Sequence, residues 1–181
     1  MLRGDAAHAA EILHALIEVD DDHDGPLRAG LVDELALVQA RVVAALSLLH
    51  DRAVVGRAAA WLADPAAPDH QAALALETLE VSLEPGEKAL ALPVLHALAD
   101  VRRALDQLAR HVDVRRPARA EVLDDLLRDR EGRWRRPWLG ACAVEAARRR
   151  GWPELNRLLL IAVASDDEVI AETAGWLRPG P

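Results

Sequence analysis

Tyrosine and phenylalanine are absent from this 181-residue chain, and it has one cysteine, Cys142. A lone cysteine excludes an internal disulfide and a thiolate metal cluster. Set among alanines and a valine, its thiol reads as core filling, because apolar surroundings disfavour the thiolate. Long uncharged runs are missing too. The longest, Ala89 to Ala99, falls far short of the ~20 residues of a membrane span. Asp5 and Glu11 interrupt anything like a secretory leader. The expectation is a soluble, cytoplasmic protein. The glycines are isolated, so no phosphate-cradling loop exists, and Ser47, Ser82 and Ser165 stand in no nucleophile context. The seven histidines, His8, His14, His23, His50, His70, His96 and His111, show no His-Glu-x-x-His spacing. Catalysis lacks a carrier, and the chain is expected to be a non-enzyme without cofactor or zinc.

What is present is leucine, alanine and valine, which make up most of the 51% apolar composition. With few β-branched runs bounded by turns, this predicts an all-α protein. The net charge of −8 is unevenly spread: residues 1–100 carry 6 Lys/Arg against 17 Asp/Glu, and residues 101–157 carry 15 against 9. An acidic front and a basic middle are expected to steer a charged partner.

Along the chain, Asp5 is read as the cap of a first helix with Ala9, Ile12, Leu13 and Leu16 on one face. A long spine helix is predicted from Leu27 to His50, where Leu31, Leu35, Val38, Val42, Ala45, Leu46 and Leu49 keep a helical period. Asp51 caps the next, Asp69 opens another, and Glu84-Pro85-Gly86 marks a turn. Pro93 sits within the following apolar segment. After a polar stretch, His111 to Arg116, four short helices are predicted at 117–128, 137–150, 153–164 and 166–177. Pro137 and Pro153 suit first helical turns, and Gly151 suits the position just past a helix end.

Trp138-Leu139 laid over Val169-Ile170, a spacing of 31 residues, puts Ala143 on Ala174 and Ala146 on Leu177. That is the period of a two-helix repeat, which must stack on a neighbour to bury its apolar face. The expected architecture is a HEAT-like α-solenoid of about eight to ten helices. It is expected to have an N-terminal helical lobe over 1–110 and a C-terminal repeat lobe over 111–181, forming one continuous solenoid. Trp138 is expected at a core position.

Two stretches carry a family resemblance. Leu74-Ala75-Leu76-Glu77-Thr78-Leu79-Glu80, followed by Ala89-Leu90-Ala91-Leu92-Pro93-Val94-Leu95, resembles an Asn-Ala-Leu-Glu-Leu-Leu-Asp … Leu-Leu-Pro-Leu-Leu signature. Trp138 to Ala143 is similar to a Trp-Leu-Arg-Ala-Cys-Ala opening, and Glu172-Thr173-Ala174 to an Arg-Glu-Thr-Ala closing. These motifs belong to the HEAT-like region of bacterial nucleotide-translocase-like major-facilitator proteins, which often precedes a cyclic-nucleotide-binding domain. The resemblance covers roughly residues 27 to 177, with Leu74 in place of the signature's Asn. It implies a cytoplasmic helical module beside a transporter or sensor, and with it a regulatory role near a membrane transporter. Neither transport nor nucleotide binding carries over, since both of those parts are missing from this sequence.

Two constellations could bind something. Asp20, Asp22, Asp24 and Gly25 occupy the first, third, fifth and sixth positions of a calcium loop, but Leu31 stands where the bidentate Glu belongs. A solvated acidic connector is the plainer reading, with a weak cation site as the alternative. The second is Arg128, Arg130, Arg133, Trp134, Arg135, Arg136 and Trp138, with Arg148, Arg149, Arg150 and Trp152 one helix later. Guanidinium groups beside indoles can clamp phosphates, stack bases or meet an acidic protein or an anionic membrane surface. A sequence pI near 5.3 counts against nucleic acid. The plain alternative is that the cluster is structural, with Arg148 to Arg150 complementing a helix C-terminus. The leading expectation is a non-catalytic scaffold that binds a protein partner, and the runner-up is a HEAT-like nucleic-acid-binding or processing protein using this cluster.

Overall fold

The computed structural model describes residues 1–21, 25–63, 68–129, 132–134 and 137–177. Among them the chain is all-α, without strands. Ten α-helices follow in order: α1 Leu2–Glu18, α2 Pro26–Leu49, α3 Arg52–Ala63, α4 Asp69–Ser82, α5 Pro85–Leu95, α6 Val101–Leu108, α7 Arg119–Arg128, α8 Pro137–Arg150, α9 Leu155–Val163 and α10 Glu168–Leu177. Among the described residues no helix is long and apolar enough to cross a membrane.

Local chemistry explains the helix ends. The Asp51 carboxylate accepts from the amides of Ala53 and Val54, and that of Asp167 from Val169 and Ile170, each satisfying orphan donors of a first turn. Glu84 and Glu87 form a reciprocal capping box with Pro85 in the first turn, so the expected turn is a helix start. Pro93 lies near the C-terminal end of α5. The helix stops at Leu95, a 3-10 turn spans Ala97–Ala99, and Asp100 caps α6 through the Arg103 amide. Asp5 does not cap α1, which starts three residues earlier; it instead accepts from Arg41 Nε at 2.8 Å.

The chain forms two compact units, Met1–His14 with Leu35–Arg115, and Ala15–Glu34 with Arg116–Pro181. One division falls inside the polar stretch after α6. The other two cut through α1 and α2.

In the first unit, α3 packs on α4 and α5 on α6, with α5 also against α3 and α4. Its core is mostly leucine, valine and alanine with Ile12, and includes Leu35, Val38, Val42, Leu46, Leu79, Val94 and Leu108. Polar ties fix α2: Gln39 Nε2 donates to the Val94 carbonyl at 3.0 Å, and His50 Nε2 lies 2.7 Å from Glu87 Oε2.

In the second unit, consecutive helices α7 to α10 pack on one another, and α7 also meets α9 as α8 meets α10. Two glycines leave room for side chains of neighbouring helices. A β-carbon on Gly30, in α2, would sit 2.7 Å from Leu139 Cδ2, and one on Gly140 would sit 2.9 Å from Ile170 Cδ1. The 31-residue match pairs like environments at three positions, while buried Ala141 and Val144 fall on exposed Glu172 and Gly175. Leu139 and Ile170 are buried, as are Ala143 and Ala174, while Trp138 and Val169 are 48% and 49% exposed. Trp138 therefore lies on the flank of the repeat rather than in its core, because the buried face of α8 starts one residue later.

Candidate functional site

The expected Arg/Trp constellation falls in the second unit, which also holds the acidic segment 15–34, where Glu18, Asp20, Asp21, Asp22, Asp24, Asp33 and Glu34 accompany Arg28 as the sole Lys/Arg. The polarity seen along the sequence is thus brought together within one compact body, where opposite charges can pair.

Gly151 starts that pairing. With φ of 65° it takes the left-handed conformation at little cost. The Trp152 amide then donates to the Ala147 carbonyl at 2.9 Å and the Gly151 amide to Arg148 at 3.3 Å. These are the two bonds of a Schellman ending, which folds the residue after the glycine back toward the helix. Trp152 is accordingly only 5% exposed. Its Nε1–H donates to Asp21 Oδ2 at 2.8 Å. The Arg119 guanidinium lies 4.6 Å from the indole centroid and donates to Asp21 Oδ2 at 3.5 Å and to Glu154 Oε1 at 3.4 Å. A buried indole with a satisfied N–H, a stacked cation and two carboxylates amounts to a clasp joining the loop after α1 to the starts of α7 and α9.

The second group surrounds the end of α7. Asp124 Oδ2 is 3.3 Å from both Arg128 Nε and Arg157 Nη2, and Asp125 Oδ2 is 3.6 Å from Arg133 Nη2. Asp129 adopts φ of 33°, a left-handed helix ending that Asp tolerates better than most residues. Its Oδ1 accepts from the amides of Arg133 at 2.6 Å and Trp134 at 3.1 Å. That pins the turn which delivers Trp134, 5% exposed, into the interior. On α8, Arg148 makes a two-pronged contact with Glu145 at 2.8 and 3.0 Å.

Of the expected binding residues, Trp134 and Trp152 are buried, Arg133 faces Asp125, and Arg149 and Arg150 are exposed at the C-terminus of α8, where cations suit the helix dipole. Arg130, Arg135 and Arg136 lie outside the described residues. Of the acidic loop, Asp20 is 3.8 Å from Arg28 and Asp21 joins the clasp, while Asp22 and Asp24 lie outside the described residues. Among the described residues no cluster of three His, Cys, Asp or Glu is arranged to hold a metal ion. Cys142 is buried in α8.

Reading the sequence missed Arg119, Asp21 and Glu154, whose partners are distant along the chain. It also missed an exposed apolar row on the last two helices. Val169 is half exposed, Trp176 is 81% exposed, and Leu160 on α9 is 72% exposed. The signal was available: Val169 and Trp176 stand seven residues apart, two turns of one helix face. No family model, curated protein or solved structure matches this chain.

Proposed function

We propose that this protein is a non-catalytic helical-repeat scaffold, HEAT-like in its stacking, that binds a protein partner. The observation that carries the reading is the second unit's order: each of α7 to α10 packs on its sequence neighbour, and α8 and α10, one repeat apart, pack directly. Three matched pairs of those two helices share burial, Trp138 with Val169, Leu139 with Ile170 and Ala143 with Ala174. Stacked repeats of this kind leave outward ridges for other molecules. The buried indoles of Trp134 and Trp152 and the arginines facing Asp124, Asp125 and Glu145 favour a structural role for the Arg/Trp constellation over nucleic-acid binding. A regulatory role beside a membrane transporter belongs to the same proposal and rests on the family resemblance. The test is affinity capture of the full chain from its source cell at physiological salt, alongside a hydrolase and transferase activity panel. The expected result is a recurring protein partner with no turnover. A chain that turns over substrate and captures nothing would overturn the reading.

A further inference from the structure

Helix α10 is apolar on two sides. Ile170 and Ala174 turn inward and are buried, while Val169 and Trp176 form an outward row, exposed to 49% and 81%. A helix that is apolar beyond the stripe it buries is built to be covered on its other side as well. Scattered exposed apolar residues mean little, but these two are in register. Seven residues apart, they lie roughly 10 Å apart along one face, the spacing that a partner helix matches with its own i and i+7 side chains. The preceding helix, α9, adds an outward pair of its own, Leu160 and Val163.

Charge decides what kind of partner fits. Residues 158–177 contain no Lys, Arg or His and four carboxylates, Asp166, Asp167, Glu168 and Glu172. Asp167 caps the helix, and carboxylates in a first turn suit the helix dipole. Glu172, however, lies in mid-helix, and its Oε1 accepts from Trp176 Nε1 at 3.3 Å. The indole is thereby held beside a carboxylate. A guanidinium or ammonium group placed over that ring gains from the ring quadrupole and from Glu172 together. Phosphate-rich surfaces, whether nucleic acid or anionic lipid, meet the repulsion of Glu168 and Glu172 on this helix.

Resting on the scaffold reading above, we infer that the α10 row of Val169 and Trp176 docks a basic amphipathic helix of a protein partner, whose apolar stripe covers the row and whose Arg or Lys stacks on Trp176 beside Glu172. The test uses fluorescence anisotropy with the full chain and a labelled synthetic helix of about 18 residues, leucine along one stripe and arginine on both flanks, against the same peptide with glutamate flanks. The arginine peptide binds, and the glutamate peptide binds at least about 10-fold more weakly. Trp176→Ser and Glu172→Lys, each confirmed helical by circular dichroism, weaken the arginine peptide about 10-fold, the scale of one stacked, charge-assisted contact. No binding of the arginine peptide, equal binding of both peptides, or indifference to both substitutions would overturn the inference. So would binding to anionic vesicles in place of the peptide, or a dimer that Trp176→Ser dissociates in sedimentation, since a second copy would then be the occupant. A partner captured from cells equally by wild type and Trp176→Ser would defeat this surface and leave the scaffold reading standing. Failure of wild type to capture anything would strike the scaffold reading instead.

Discussion

A β-carbon on Gly140 would come within 2.9 Å of Cδ1 of Ile170 and 3.3 Å of the Leu126 carbonyl oxygen, whereas one on Gly56 in α3 would meet nothing within 4 Å. The same residue type therefore has opposite meanings in two helices. Gly56→Ala removes backbone freedom from the unfolded chain and should stabilise the protein by about 0.5–1 kcal/mol. Gly140→Leu forces α8 and α10 apart and should destabilise it by about 1–3 kcal/mol. Urea unfolding of the two variants checks both signs.

The clasp around Trp152 should be measurable as coupling. Trp152→Ala empties a buried indole site and is expected to cost about 3–5 kcal/mol. Asp21, whose side chain is about half exposed, has water to fall back on, so Asp21→Ala should cost only about 1 kcal/mol. In a double-mutant cycle using Trp152→Phe, which keeps an aromatic ring without the N–H, the two changes should be less than additive by several tenths of a kcal/mol or more. Strict additivity would mean that the 2.8 Å bond contributes nothing to stability.

Glu87 supplies an acid-sensitive element. Its carboxylate accepts the Glu84 amide at 3.0 Å, and this bond, with a smaller contribution from His50, holds its pKa below the usual 4.5 despite opposing burial. A depressed folded-state pKa adds stability above the unfolded value, lost as pH falls from 4.5 through the lower folded value. Glu87→Ala should therefore cost roughly 1 kcal/mol near neutrality, the scale of a lost cap. Its deficit against wild type should shrink as the pH falls below 4.5. Thermal melts across that range would show it, and a pH-independent deficit would contradict it.

Duplex DNA titrated into the protein at low salt should show no saturable binding that Arg133→Ala weakens. Arg133 lies 3.6 Å from Asp125, and the indoles of Trp134 and Trp152 are buried. A steep salt dependence that falls on substituting Arg133 would restore the nucleic-acid reading.

Much of the helical layout was legible because local chemistry writes it. Pro137 and Gly151 bracket α8, and Asp51 and Asp167 cap their helices. The partnership of Asp21 with Trp152 was not legible, since the residues are 131 apart in sequence and no local pattern states which helix end meets which loop. For the same reason the segment 15–34 gave no sign of joining the C-terminal unit. For Arg128, Arg133 and Arg148 the sequence displays the cations without the carboxylates of Asp124, Asp125 and Glu145 that fold against them. Trp138 was misjudged by one step of register, lying half exposed where Leu139 is buried.

Site-specific photo-cross-linking in the source cell reads the central claim most directly. A photoreactive residue at Leu160 or Trp176 should capture one and the same polypeptide, while one at Leu48, exposed in the other unit, should not. Adducts to nucleic acid, or no protein adduct at either position while purified protein turns over a substrate, would contradict a scaffold that works by binding protein.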